Sequence, residues 1–452
     1  MLAQTAAGLV KAGAGLVKAG TGLGVLEQAI RAAVLAAGSH LLEGLLAGDK
    51  GYQGPRFDCG AGHQAVFVDY RTKEVDTVVG HLELERACYH CAQCEAGLAP
   101  RDDQLGVAGA SLSPGLAQMA SLAGSHLPFV PATSLVGELA GIELDVRRLE
   151  RAAESAGELA RQASAAETAA ICARTLIPVR PPAPLPDKLY AGVDGTGVPV
   201  RPAETAGRAG KGEDGQARTR EVKICRIFTQ SGLDAKDRPA PGKGSSSYVH
   251  TLDGIETFTS QVRAEFIRRG GPHFRQAIFP GDGARWIQNL ATAVYPQATQ
   301  IVDLYHAREH LADLAGHLAF ILDDEQAWLS ERNDDLDNGD IDAIVTAALV
   351  CPLAGVKADD LDTKLGYFTR NAHRMRYKHF RDLDLFVGSG AIEASCKLIV
   401  GQRLKQSGMH WTVDGADSIM ALRCQRASGR WDQLWPHLTT GTTSPASLRA
   451  TT

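Results

Sequence analysis

The chain has 452 residues, 44% of them apolar and 22% charged, with a formal net charge of −5. That composition excludes a disordered protein and supplies a large core in two or three domains. The negative balance excludes a protein that coats nucleic acid by global charge, so DNA contacts must come from local basic patches.

Residues 1–55 read as an N-terminal helical segment: the near-repeat GLVKAGAGLVKAGTGLG, an Ala-rich run, then a helix over 39–46. No apolar run of about 18 residues stands out, which predicts no membrane span. Nine cysteines with no secretory signal predict reduced thiols in a cytoplasmic protein.

Residues 56–100 read as a zinc-ribbon-like module, two cysteine-bearing turns flanking a β-hairpin. Cys91 and Cys94 form a C-x-x-C turn that offers two thiolates at a chelating bite. The position three after Cys59 is Gly62, so His63 or Cys88 has to complete the set, and Cys59, His63, Cys91 and Cys94 are the favoured ligands of a structural Zn²⁺. The alternative is a zinc-free hairpin with small buried cysteines.

Residues 101–177 read as helical. Segments 131–140 and 145–158, separated by a short turn with a leading glycine, have helix-turn-helix proportions, and Arg147 and Arg148 lie early on the second helix, suited to phosphate or guanine contacts. Ordinary helical bundles share this spacing. A proline-rich linker over 178–187 ends the region.

Residues 188–310 alternate differently. YAGVDGTGVPV (190–200) reads as a buried strand ending in a glycine turn at Asp194. A second strand follows over EVKICRIFTQ and a third over SSSYVHTL. IETFTSQVRAEFIRR is a helix, RQAIFPGD a strand ending at Asp282, ARWIQNLATAVY a helix, and ATQIVDLYH a strand ending at Asp303. Three meandering strands followed by βαβ units form a ribonuclease-H-like mixed sheet, so the predicted class is an α/β catalytic domain. Residues 311–385 read as an all-helical insertion ending in the basic stretch YFTRNAHRMRYKHFR, where Arg374, Arg376 and Lys378 are candidate DNA contacts. Residues 386–436 return to the core as helices, with Glu393 on a first turn and Lys397, Arg403 and Lys405 beyond it as cations for a phosphate. Residues 437–452 read as a disordered tail.

A buried strand has little use for a lone carboxylate unless a partner or cation offsets its desolvation. Asp194, Asp282 and Glu393 together suggest oxygen ligands converging on divalent metal at one sheet edge. Each alone also fits a turn or capping role. Asp282 is preferred over Asp303, because the tight turn after it leaves the carboxylate projecting while Asp303 runs directly into a helix.

The motifs DGTGVP (194–199), GDGARWI (281–287), IVDLYHAREHL (301–311), GSGAIEASCK and GQRLKQSGMHW (388–411) resemble those of bacterial insertion-sequence transposases of the DDE type, close to the ISKra family. The resemblance covers the chain after about residue 40. It implies a ribonuclease-H-like sheet in which Asp194, Asp282 and Glu393 hold two Mg²⁺ or Mn²⁺ ions, with Asp303 and His306 of a D-x-x-H pattern and Lys397 in support. The implied chemistry is cleavage and strand transfer of DNA; the implied partners are transposon terminal inverted repeats, target DNA and further copies of the chain, with no membrane. A structure-specific nuclease on the same fold, or a catalytically inactive transposase-derived DNA-binding protein, are the alternatives.

Overall fold

The computed structural model describes residues 22–439, apart from 180–184, 211–214, 235–238, 352–357 and 389. Most of the near-repeat, the centre of the proline-rich linker, Ser389 and residues 440–452 of the expected tail lie outside the described residues. The protein is α/β, with a mixed sheet and many helices. It divides into two compact units, Met1–Ala160 with Trp431–Thr452 and Arg161–Arg430, and the division falls inside a long helix upstream of the proline-rich stretch.

The first unit opens with helix α1, Leu23–Leu46, one continuous element. Its Ser39 hydroxyl donates to the His81 carbonyl at 2.7 Å. By length and composition α1 is long and apolar enough to cross a membrane, with none of its residues buried, which corrects the expectation that no such stretch exists. Charged residues such as Glu27 and Arg31 interrupt the apolar run without lowering its average enough to exclude it. An antiparallel sheet follows in the order β1 (Arg56–Asp58), β2 (Gln64–Thr77), β3 (Gly80–Cys91), β4 (Ala96–Leu98). Alternation fixes its inner face: Leu82 and Leu84 are buried while Glu83 and Glu85 are exposed.

Beyond a short helix α2 (Pro100–Gln104), helix α3 (Pro114–His126) starts at Ser113, whose hydroxyl accepts the Leu116 N–H at 3.3 Å, with proline at its first position. Helix α4 (Phe129–Ala140) closes at Gly141, which takes the left-handed φ of +72° that favours glycine at a C-terminal cap. Asp145 accepts the Arg147 N–H at 2.9 Å and starts helix α5 (Val146–Cys172). Leu116, Ala120, Val136, Ile142 and Leu149 form the core of this helical part.

The second unit is built on strands β5 (Lys188–Pro199), β6 (Thr219–Leu233), β7 (Pro239–Pro241), β8 (Ser247–Thr251), β9 (Gln276–Gly281) and β10 (Thr299–Val302). The sheet order is β10-β9-β5-β6-β7, with β8 also paired to β6. Strand β6 is antiparallel to both β5 and β8, whereas β9 runs parallel to β5 and β10 parallel to β9. Helix α6 (Ile255–Arg268) connects β8 to β9, and α7 (Arg285–Val294) connects β9 to β10.

The expected turn at Asp194 is not there. Asp194 pairs with Ile224, and the β5–β6 ribbon continues to Pro199 opposite Thr219. The glycines serve close approach rather than a turn: a Cβ on Gly195 would meet the Glu221 carboxylate at 2.9 Å.

Period-two alternation sends β5 side chains to two cores. Leu189, Ala191 and Val193 pack with α6 and α7. Tyr190 lies on the opposite face, against helices α8 (Leu304–Leu318), α9 (Glu325–Asn338), α10 (Ile341–Leu349), α11 (Ala358–Asn371) and α12 (Tyr377–Asp382). Helix α13 (Gly390–Cys396) then runs on through a π turn, Lys397–Gly401, and α14 (Val413–Ala427) completes the unit.

Candidate functional site

Two sites emerge, one in each unit. In the first unit, the β1–β2 turn carries Cys59 and His63, and the turn between β3 and β4 carries Cys91 and Cys94. Their ligand atoms all lie within 4.8 Å of one another. Backbone geometry fixes the turns: the Cys59 N–H donates to the His63 carbonyl at 2.9 Å, Gly60 and Gly62 take φ of +86° and +79°, and Glu95 accepts a left-handed φ of +52° after Cys94. Cys59 and Cys94 sulfurs are 3.7 Å apart, and His63 Nδ1 is 3.3 Å from Cys94 Sγ. A tetrahedral ion with Zn–S bonds of about 2.3 Å sets its sulfurs about 3.8 Å apart, so the spacing fits.

Hydrogen bonds to Cys91 and Cys59, and the charge those thiols carry when ionised, push the Cys94 thiol up to about 11. Three thiols so close shed their protons together only when a cation takes the charge. This Cys₃His set can hold a structural metal ion. Cys88, the other sequence candidate, lies on the opposite face of β3 from Cys91, and its thiol contacts the Arg86 carbonyl at 3.8 Å.

In the second unit, Asp282 and Asp303 each directly follow a parallel strand, and Asp194 lies within β5. Val302 pairs with Gly281, and the Asp303 N–H donates to the Gly281 carbonyl at 2.7 Å, so Asp303 and Asp282 are neighbours. Strand β5 pairs with β9 from Lys188–Gln276 to Tyr190–Ile278, a ladder that ends four residues before Asp194 and Asp282. By parity Asp194 follows Tyr190 to the face covered by helices. Helix α13 packs on that face: Ile392 lies over Gly192, where a Cβ would collide with its side chain, and Glu393 is the next residue, exposed.

Asp194 and Glu393 both act on one thiol. Cys396 donates to Asp194 Oδ2 at 3.1 Å, and burial first, then the Asp194 charge and hydrogen bond, push its pKa up, with Lys405 opposing and Glu393 adding. Asp282 Oδ1 accepts the Ala284 N–H at 2.8 Å. Asp303 is fully buried at the start of α8, where it accepts both the backbone N–H of His306 (2.8 Å) and its Nδ1 (3.1 Å). Burial disfavours charge on His306, but Asp303 outweighs it and raises the pKa. Arg308, two residues beyond His306, pairs with Asp337 at 2.7 Å. Among the described residues, the carboxylates of Asp194, Asp282 and Glu393 do not form a group with all ligand atoms within 4.8 Å.

No protein-family model matches the chain, and no curated protein does.

The candidate DNA contacts divide by exposure. Arg147, Arg376, Lys378, Lys397 and Lys405 are exposed, and Lys405 bonds the Thr196 hydroxyl. Arg148 is half-buried, its guanidinium bonded to Ser111 at 3.2 Å and paired with Asp76 at 2.6 Å. Arg403 is fully buried, with its guanidinium 4.8 Å from the Trp411 ring centre. Arg374 is buried too, as are Tyr377 and Phe380, so these aromatics fill the core and are closed to base stacking. Sequence reasoning passed over Cys396, although it lies one helical turn from Glu393, and Tyr367, which carries no local signal.

Proposed function

We propose that the chain is a DDE-type DNA transposase with a ribonuclease-H-like catalytic unit. The observation that carries this reading is the docking of the Glu393 helix on β5, where Cys396 donates to Asp194 Oδ2, with Asp282 just past the end of the parallel neighbour β9. The strand order supports the same fold: an antiparallel β5-β6-β8 meander extended by parallel β9 and β10. Asp194, Asp282 and Glu393 are the proposed ligands of two Mg²⁺ or Mn²⁺ ions, consistent with their oxygen-only donors. Such ions, when bound, lower the pKa of water and neutralise charge at phosphorus.

The protein's own groups do the rest. Cys396 orients one Asp194 oxygen through its S–H. Lys397 and Lys405 bring positive charge beside the acids, where a DNA phosphate would lie. In the first unit, Cys59, His63, Cys91 and Cys94 hold a structural Zn²⁺ in a zinc-ribbon-like module and Arg147 contacts DNA; in the second unit, Arg376 and Lys378 contact DNA. The partners are element ends, target DNA and further copies of the chain, in the cytoplasm.

The test is a labelled duplex carrying the sequences that flank the gene, incubated with the protein, a target plasmid and Mg²⁺ or Mn²⁺. Cleavage followed by joining to target is expected, and Asp194→Asn or Glu393→Gln should remove both. Cleavage without joining would favour the nuclease. DNA binding with neither step would leave a DNA-binding protein.

A further inference from the structure

The residues between β10 and α13 include a side-chain group packed behind the Asp282–Gly283 turn. Tyr367 donates its hydroxyl to the Asp282 carbonyl at 3.2 Å. Gly283 has a φ of +89°, and a Cβ there would meet Tyr367 Oη at 3.0 Å and Asn371 Nδ2 at 3.3 Å. Arg374 points the same way, with Nη2 bonded to Asn371 Oδ1 and 3.5 Å from the Gly283 carbonyl. Asn371 and Arg374 are only 3% and 4% exposed. The His310 ring stacks on Tyr367 with centroids 3.7 Å apart, tying the group to α8, the helix that Asp303 caps.

A surface phosphate-binding arginine is free to swing; this one is not. Burial lowers its pKa, while Tyr367 and Asp282 raise it, so its charge is directed at the turn. A left-handed glycine needs such bracing, because glycine has more backbone freedom to lose than any other residue.

We propose that Tyr367, Asn371 and Arg374 are positioning residues that hold the Asp282 turn, and with it the Asp282 carboxylate, in the geometry for binding a divalent cation. The helical insertion is then part of the catalytic site rather than an appendage to it. The proposal rests on the reading of Asp282 as a metal ligand.

Mn²⁺ titration of the full chain, followed by electron paramagnetic resonance, tests both levels without relying on turnover. Asp282→Asn should lose Mn²⁺. Tyr367→Phe, which keeps the ring and deletes one hydrogen bond, should weaken Mn²⁺ about fivefold. Arg374→Lys should also weaken Mn²⁺, yet leave the salt slope of DNA binding as in the wild type. Wild-type Mn²⁺ binding by Asp282→Asn would overturn the metal site and the brace together. Loss of Mn²⁺ in Asp282→Asn, with wild-type titrations for Tyr367→Phe and Arg374→Lys, would overturn the brace alone. A salt slope reduced by about one in Arg374→Lys would make it a phosphate contact and overturn its positioning role.

Discussion

Gly192 has no side chain, and that is why α13 can rest on β5. Gly192→Ala would force Ile392 away, and overpacking of this kind costs about 1–3 kcal/mol. DNA cleavage should fall further than urea stability accounts for, because Glu393 moves with Ile392; cleavage and unfolding midpoints of the same preparation decide it. The two neighbouring aspartates should separate cleanly. Asp282→Asn is expected to abolish cleavage with the fold intact, whereas Asp303→Asn removes a buried helix cap and should cost stability, about 1 kcal/mol or more. Wild-type cleavage by Asp282→Asn would reverse the assignment. The tight turn after Asp282 was readable from the glycines on either side of it. The continuation of β5 past Asp194 to Pro199 was not, since register depends on partners far along the chain.

At the scale of elements, the four metal ligands come from two turns, so the ion would clip β1–β2 to β3–β4. Purified protein should carry about one zinc per chain, and Cys91→Ser with Cys94→Ser should lose it and loosen the first unit; elemental analysis and hydrogen exchange report the two effects separately. The C-x-x-C spacing made half of this set plain, while His63 rather than Cys88 was decided by which face of β3 each residue occupies. The basic stretch before α13 teaches the converse. Arg374, Tyr377 and Phe380 recur every three residues and are all buried, whereas Arg376 and Lys378 lie between them in solvent. Charge composition flagged the stretch as one footprint, but periodicity divides it. Arg376→Ala with Lys378→Ala should lower the salt slope of DNA binding by about two if both meet phosphates.

For the whole molecule, buried ion pairs tie distant parts of the second unit. His250 on β8 pairs with Asp417 on α14 at 3.0 Å, and Asp417 pairs with Arg161 at 2.6 Å. Burial disfavours charge on His250, but Cys424 and Asp417 outweigh it and hold its pKa up to about 10 against an ordinary 6.5. A pKa raised on folding stabilises fully below the unfolded value and fades as pH climbs through the folded one. Unfolding midpoints should therefore drop between pH 6.5 and about 10. His250→Gln should flatten that slope and lower the midpoint near neutrality, with the Asp417 charge still paired to Arg161; an unchanged slope would show that His250 is neutral when folded.

The helix Trp431–Thr439 belongs to the first unit, although the whole of the second unit precedes it in the chain. Its Trp431 and Trp435 are buried, and it packs with α3. A ribosome must therefore translate everything through residue 430 before the unit it began with can close. Throughout elongation the seat on α3 stays bare and apolar, open to chaperones or to the same helix of another nascent chain on the same message.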